Sequence, residues 1–551
     1  MLDVPSSADR LEVTFRIESD ETLPGHFWVG QFRLEPLESA NKPDVHSSKA
    51  LLTLSPVLAD GTPTPARLYL KDSYGLPADV PFTFEFDGGK LGFHLSSLHL
   101  NRFAVLPGTY EVVAMKGFEY KPVRTTVTLE AGESKNVELI LEPAFDASYR
   151  NWYSGDHHTH LFRHASTVHP FMNIDDVYRI AQGEGLAFVP FMGADRVSEP
   201  LKVRSEPGFL GWATNELTRD LWGHICPIGF DVPALPEYGN LWPMNVDYMA
   251  AAESAGGAIA YAHPYARFNP ESIASAVSDP ESGHAARELP LAAALGHRFT
   301  IDMLTKEGFG SNFGMKLRDY FRLLNLGFQL GVSGSTDFHA DQGRGIIGAM
   351  RTYVHADPFT WPAVAQAYRE GRTFATNGPL LFLSAGAFQP GDTVTLEAEG
   401  ELTVAVEAFS HWGLTGATLW YNGRAVETWR AQGDLALLRE HTFKVSHSGW
   451  VVLSATGPAH DELTHAPEGV PTVDGQFAIT SPLYVTVVGR PAPADPEAAR
   501  YFMAWVDNAK TAFETACASS AAKGNPLPEA IRDQALARFA EARSVYFRLS
   551  D

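Results

Sequence analysis

The sequence predicts a multidomain α/β protein, in which β-rich regions flank a central region of alternating helices and strands and the chain ends in helices. Three observations carry this. Residues 10–145 alternate apolar and polar side chains with period two between Gly/Pro turns. From about residue 146 helix-like segments alternate with short apolar strands, the pattern of parallel strands joined by crossover helices. Residues 380–490 return to the β pattern, followed by a Pro/Ala linker and an amphipathic helical end.

Taken in order, the N-terminal region offers Leu11–Ile17, Arg67–Leu70 and Phe82–Phe86 as strands. The stretch 107–141, with a Pro-Gly turn and two strands around Ala131-Gly132-Glu133, resembles carboxypeptidase-regulatory, transthyretin-like β domains. A β-sandwich over 1–145 is the expectation, with a packing or binding role. In the central region a helix over 173–182 stops at Gly183 and Gly185 and leads into strand 187–192. The cycle recurs as helix 246–254 with strand 258–262, and as helix 315–326 with strand 328–332. A closed barrel and a doubly wound sheet both fit over 146–380. A second β-sandwich is expected over 381–490 and a helical segment over 491–551, where Ile531, Ala535, Phe539 and Ala542 share one face.

Composition narrows the function. A chain of 551 residues exceeds what one core covers. Its formal net charge of −22 disfavours nucleic acid and anionic membranes. Two cysteines, Cys226 and Cys517, rule out a disulfide framework or a Cys-based zinc site, so any metal must be held by histidines and carboxylates. No apolar run is long enough to span a membrane, and the N-terminus lacks the blocks of a signal peptide. The expectation is a soluble protein, either cytoplasmic or exported with its signal removed. The oligomeric state is not legible.

Histidine placement is the informative feature. In Gly155-Asp156-His157-His158-Thr159-His160, residues 158 and 160 project to one face of a strand, so two imidazoles can grip one ion. His157 is expected to face the other way. Three further apolar strands run into chemistry-bearing residues: Asp195-Arg196, His263-Pro264, and Ser335-Thr336-Asp337-Phe338-His339. In parallel αβ folds functional groups gather at the carboxyl ends of strands.

In this order the motifs resemble the polymerase-and-histidinol-phosphatase (PHP) metallohydrolases, in particular the carbaryl-hydrolase-like, CehA/McbA-like branch. The matching elements are Gly155–His160, Glu216 with Gly223-His224, His263-Pro264, Gly334–His339, and the closing Glu370–Pro379 segment. The resemblance implies a distorted (β/α)7 barrel. By carry-over His158, His160, Glu216 and Asp337 hold one metal, and Glu216 bridges to a second held also by His224 and His263. A third family site would use His339, but Arg196 stands where that site has a histidine. One or two ions are therefore expected, zinc first, with manganese or iron as alternatives. Asp337, His339 and Arg196 are the expected catalytic groups, although His339 reads equally as a substrate contact. Asp195, Arg196, Tyr265, Arg267, Arg344, His164 and His169 are candidate substrate contacts at the mouth of the site, while Asp195–Arg196 also reads as a structural ion pair. Glu216 and His224 fall in a loop-like stretch and read alternatively as surface groups. The implied reaction is attack of a metal-activated water on a small-molecule ester, carbamate or amide. The alternatives are a phosphoesterase and a non-catalytic binding protein. No Gly-x-Ser-x-Gly nucleophile motif is present.

Overall fold

The computed structural model describes residues 49–76, 78, 84–86, 91–95, 101–160, 174–193, 203–265, 277–279, 286–305, 313–339, 346–459 and 475–551. The predicted strand Leu11–Ile17 and Asn173, the first residue of the predicted helix 173–182, lie outside them. The described chain is mixed α/β, with several separate sheets.

The N-terminal strands follow from period-two burial. Along Ala50–Leu58 alternate residues are buried, and the strand pairs antiparallel with Arg102–Val105 and parallel with Ser134–Leu141. A five-stranded sheet holds Arg67–Lys71, Gly108–Met115 and Val123–Leu129. Leu52, Leu54, Leu68, Val112, Leu129 and Leu141 from both sheets close one apolar core.

Two sheets carry the candidate site. In the first, Trp152–Gly155, Phe188–Met192 and Phe209–Thr214 run parallel, and the short strand Thr159–His160 bridges Phe188–Met192 to Phe338–His339. This sheet continues through Arg351–His355, Thr373–Thr376 and Gln476–Thr480 into the C-terminal β strands, so it crosses residue 380 without a break in hydrogen bonding. Gly155 is required here, because a Cβ on it would lie 2.3 Å from the Phe188 ring.

The second sheet runs Leu217–Arg219, Gly223–Ile228, Ala258–Tyr261, Thr300–Leu304, Gly331–Gly334. Its last three strands are parallel, as the αβ periodicity predicts. Gly223–Ile228 departs from that expectation: it is antiparallel to Ala258–Tyr261. The stretch around His224, loop-like in sequence, is thus a fully buried strand. The strand expected over 328–332 lies instead at Gly331–Gly334. Phe328 is used for packing on Tyr546 rather than for the ladder.

Helices Ile174–Gly183, Asn245–Ala255 and Phe313–Asn325 follow the predicted spans closely. The chain ends in Pro496–Ala522, capped by the Asp495 carboxylate on the Ala498 N–H, and Glu529–Ser550. Their apolar residues Phe502, Trp505, Phe513, Phe539 and Tyr546 share one core with Trp222, Tyr265, Leu289 and Ile301 of the α/β region. Among the described residues no helix is long and apolar enough to cross a membrane.

Candidate metal centre

Seven predicted ligands arrive at one place by different routes. His158 immediately precedes, and His160 ends, the short strand Thr159–His160. Glu216 sits between strands Phe209–Thr214 and Leu217–Arg219. His263 follows Ala258–Tyr261, and Asp337 and His339 follow Gly331–Gly334. His224 stands near the start of Gly223–Ile228. Because that strand is antiparallel to its neighbour, its first residues face the end where the other strands finish.

The polar tips converge. His158 Nε2 lies 3.1 Å from His160 Nε2, 3.3 Å from Glu216 Oε1 and 3.3 Å from Asp337 Oδ1. His160 Nε2 lies 3.2 Å from Asp337 Oδ1 and 3.4 Å from Glu216 Oε2. His263 Nε2 stands 3.6 Å from Glu216 Oε1. His339 Nε2 is 3.2 Å from Asp337 Oδ1, with its ring stacked on His160 at 4.6 Å. Two overlapping ligand groups result: His158, His160 and Asp337, and His158, Glu216 and His263.

These separations fit a cation. Ligand atoms about 2.1 Å from one ion stand roughly 3.0–3.4 Å from each other in tetrahedral or octahedral geometry. The buried Glu216 Oε2 receives no hydrogen bond, although it faces His160. Two carboxylates so deeply enclosed call for a countercharge. The donor set, nitrogen and oxygen without thiolate, suits Zn, Mn or Fe. His224 reaches the cluster through Glu216: its Nδ1 is 2.7 Å from Glu216 Oε1 and its Nε2 is 3.4 Å from Asp220 Oδ1.

The backbone is strained at the same place. His263 has φ +29° and Asp337 φ +48°, two of four non-glycine residues with positive φ among those described. Such conformations persist where the surroundings over-determine them, and they concentrate at functional sites.

Electrostatics agree with a charged cluster. Burial disfavours a charged His158, but the acidic groups around it, Cys226, Asp337 and Glu216, hold the ring well above the usual imidazole range. Burial pushes the Cys226 thiol up to about 12, so at neutral pH the two carboxylates carry that effect. His160 is lowered to about 4, by burial first and also by the charge on His158. Burial opposes ionisation of Glu216, yet His158 and bonds from His158, His224 and His263 hold its carboxyl well below the usual range.

The other predicted contacts divide. Tyr265 is buried; its hydroxyl donates to Asp319 Oδ2 at 2.9 Å and its ring packs edge-on to Trp505, so it is not among the converging groups. Asp195, Arg196, Arg267, Arg344, His164 and His169 lie outside the described residues. His157 is turned onto Asp302, with Nε2 3.0 Å from Oδ1.

Sequence reasoning missed two residues. Asp156 and Asp302 are fully buried beside the ligand-bearing turns. Asp302 carried a usable signal, a lone acid inside the apolar strand Thr300–Leu304. Asp156 was visible in the His-rich motif, but its partners are remote in sequence.

No family model and no curated protein matches the chain. Among solved structures, the solution NMR structure of a CARDB domain from Pyrococcus furiosus is similar over 20% of this chain and 95% of that domain, at 15% identity. Its TM-score of 0.13 carries no argument about fold or function.

Proposed function

We propose that the chain is a metal-dependent hydrolase of the PHP type, acting on a small-molecule ester, carbamate or amide. The observation that carries this reading is the convergence of His158, His160, Glu216, His263, Asp337 and His339 at mutual contacts of 3.1 to 3.6 Å. On this reading the two site-bearing sheets are parts of a distorted (β/α)7 barrel, and the N-terminal and C-terminal β regions are sandwich domains. His158, His160, Glu216 and Asp337 would hold one divalent cation, zinc first, and Glu216 with His224 and His263 a second.

When bound, such a cation would supply Lewis-acid chemistry, making a water nucleophilic near neutral pH by lowering its pKa from about 15.7 to about 7. The chain's own groups then handle the protons. Asp337, whose Oδ1 stands beside three imidazole nitrogens, would accept a proton from the attacking water as well as hold the cation. His339, 3.2 Å away, is placed to pass one to the leaving group. The net charge of −22 weighs against dianionic phosphate monoesters.

Metal analysis of the purified protein, with turnover of nitrophenyl carboxylate and phosphate esters with and without chelator, tests this. Chelator-sensitive cleavage of the carboxylate esters is expected. His158→Ala and Asp337→Ala are expected to abolish it while circular dichroism stays unchanged. A protein that neither contains nor takes up a transition metal, or that turns over neither ester class, refutes the reading.

A further inference from the structure

Two buried carboxylates lie against the ligand turns without joining the ligand groups. Asp156 is fully enclosed. Its Oδ1 accepts the His158 N–H at 3.2 Å and the Thr336 N–H at 3.1 Å. Its Oδ2 accepts the Gly348 N–H at 2.8 Å and a short bond from the Thr336 hydroxyl. Asp302 is also fully enclosed. It faces His157 Nε2 at 3.0 Å and accepts the Ser333 hydroxyl at 2.7 Å and the Ser335 hydroxyl at 2.5 Å. The far side of the His157 ring meets the Tyr368 hydroxyl at 3.1 Å.

We infer that Asp156 and Asp302 are positioning residues which clamp the turn carrying His158 and His160 onto the turn carrying Asp337 and His339. Each carboxylate bridges the same two segments, 156–158 and 333–336. The bridges run through the His158 N–H and through groups of His157, Ser333, Ser335 and Thr336, all within four residues of a ligand. Thr336, bonded twice by Asp156, precedes Asp337, whose φ of +48° requires an external hold. The His158–Asp337 separation of 3.3 Å is set by this pair of braces. Ligand spacing that tight is what a cation site needs, and groups that orient ligands typically govern affinity by about 10–100-fold. With their oxygens filled by these donors, Asp156 and Asp302 are committed to bracing rather than ligation.

The inference rests on the metal-site reading, and the test separates the two. Zn2+ affinity is measured by competition with a chromophoric chelator, and the Co2+ derivative is followed by its visible absorption. Asp156→Asn, Asp302→Asn, Thr336→Val and Ser335→Ala are compared with wild type, alongside circular dichroism. Each is expected to weaken Zn2+ binding about 10–100-fold and to alter the Co2+ spectrum. Thr336→Ser, which keeps the hydroxyl, is expected to restore both. If the aspartate variants do not fold, the milder Thr336→Val and Ser335→Ala still decide. Wild-type affinity and spectrum in folded variants overturn the clamp alone. A wild-type protein that binds neither ion overturns the metal reading and the clamp with it.

Discussion

Glu288 offers a direct test of how burial and helix capping compete beside the site. Its carboxylate is fully buried and accepts the Asn245 and Val246 N–H groups at 2.8 and 3.0 Å, at the start of helix Asn245–Ala255. The Asn245 amide in turn donates to the Trp222 and Gly223 carbonyls, immediately before His224. Two N–H donors and a helix N-terminus favour the anion. Burial outweighs them and pushes the carboxyl up to about 8 from 4.5. A group whose pKa is raised on folding contributes stability that is complete below its unfolded pKa and is lost as pH rises toward its folded one. At about 1.4 kcal/mol per pH unit, the wild type should lose about 4 kcal/mol between pH 5 and pH 8 through this group. Glu288→Gln removes that dependence and weakens one N–H bond, a pH-independent cost of about 1 kcal/mol. Urea midpoints followed by tryptophan fluorescence across this range should therefore show the variant slightly less stable at pH 5 and clearly more stable at pH 8. Parallel pH profiles would refute the reasoning, because they would mean that Glu288 is ionised in the fold.

Two further outcomes follow from packing and from the ligand cluster. Trp222→Ala removes a fully buried ring that faces Phe513 at 5.6 Å and Phe539 at 6.3 Å. It should cost about 3–5 kcal/mol in urea titrations and, through Gly223, also weaken Zn2+ binding; unchanged stability would show that the C-terminal helices do not support the site. Adding Zn2+ to chelator-treated protein, at a free concentration about 100 times its dissociation constant, should stabilise the fold by about 2.7 kcal/mol. That gain should vanish in Glu216→Gln, and a thermal shift that persists there would move the ion elsewhere.

Much of the fold and of the candidate site was legible from local pattern. Burial alternates along Ala50–Leu58 because strand side chains alternate faces, and that period is written in neighbouring residues. Helix Phe313–Asn325 and the C-terminal helix with buried Ala535, Phe539 and Ala542 are likewise local statements. His158, His160, His263, Asp337 and His339 were visible because imidazoles and carboxylates stood where apolar strands ended. The antiparallel course of Gly223–Ile228 was not, because pairing direction is decided by the neighbouring strand and leaves no period of its own.

The sequence by itself determined which side chains are available to hold a cation, chiefly histidines and carboxylates. Only the tertiary structure decided that they meet. Asp156 and Thr336 are 180 residues apart, and Ser333 lies 31 residues from Asp302. A carboxylate becomes a brace through groups brought to it by folding, and nothing in its immediate sequence encodes contacts formed over such separations.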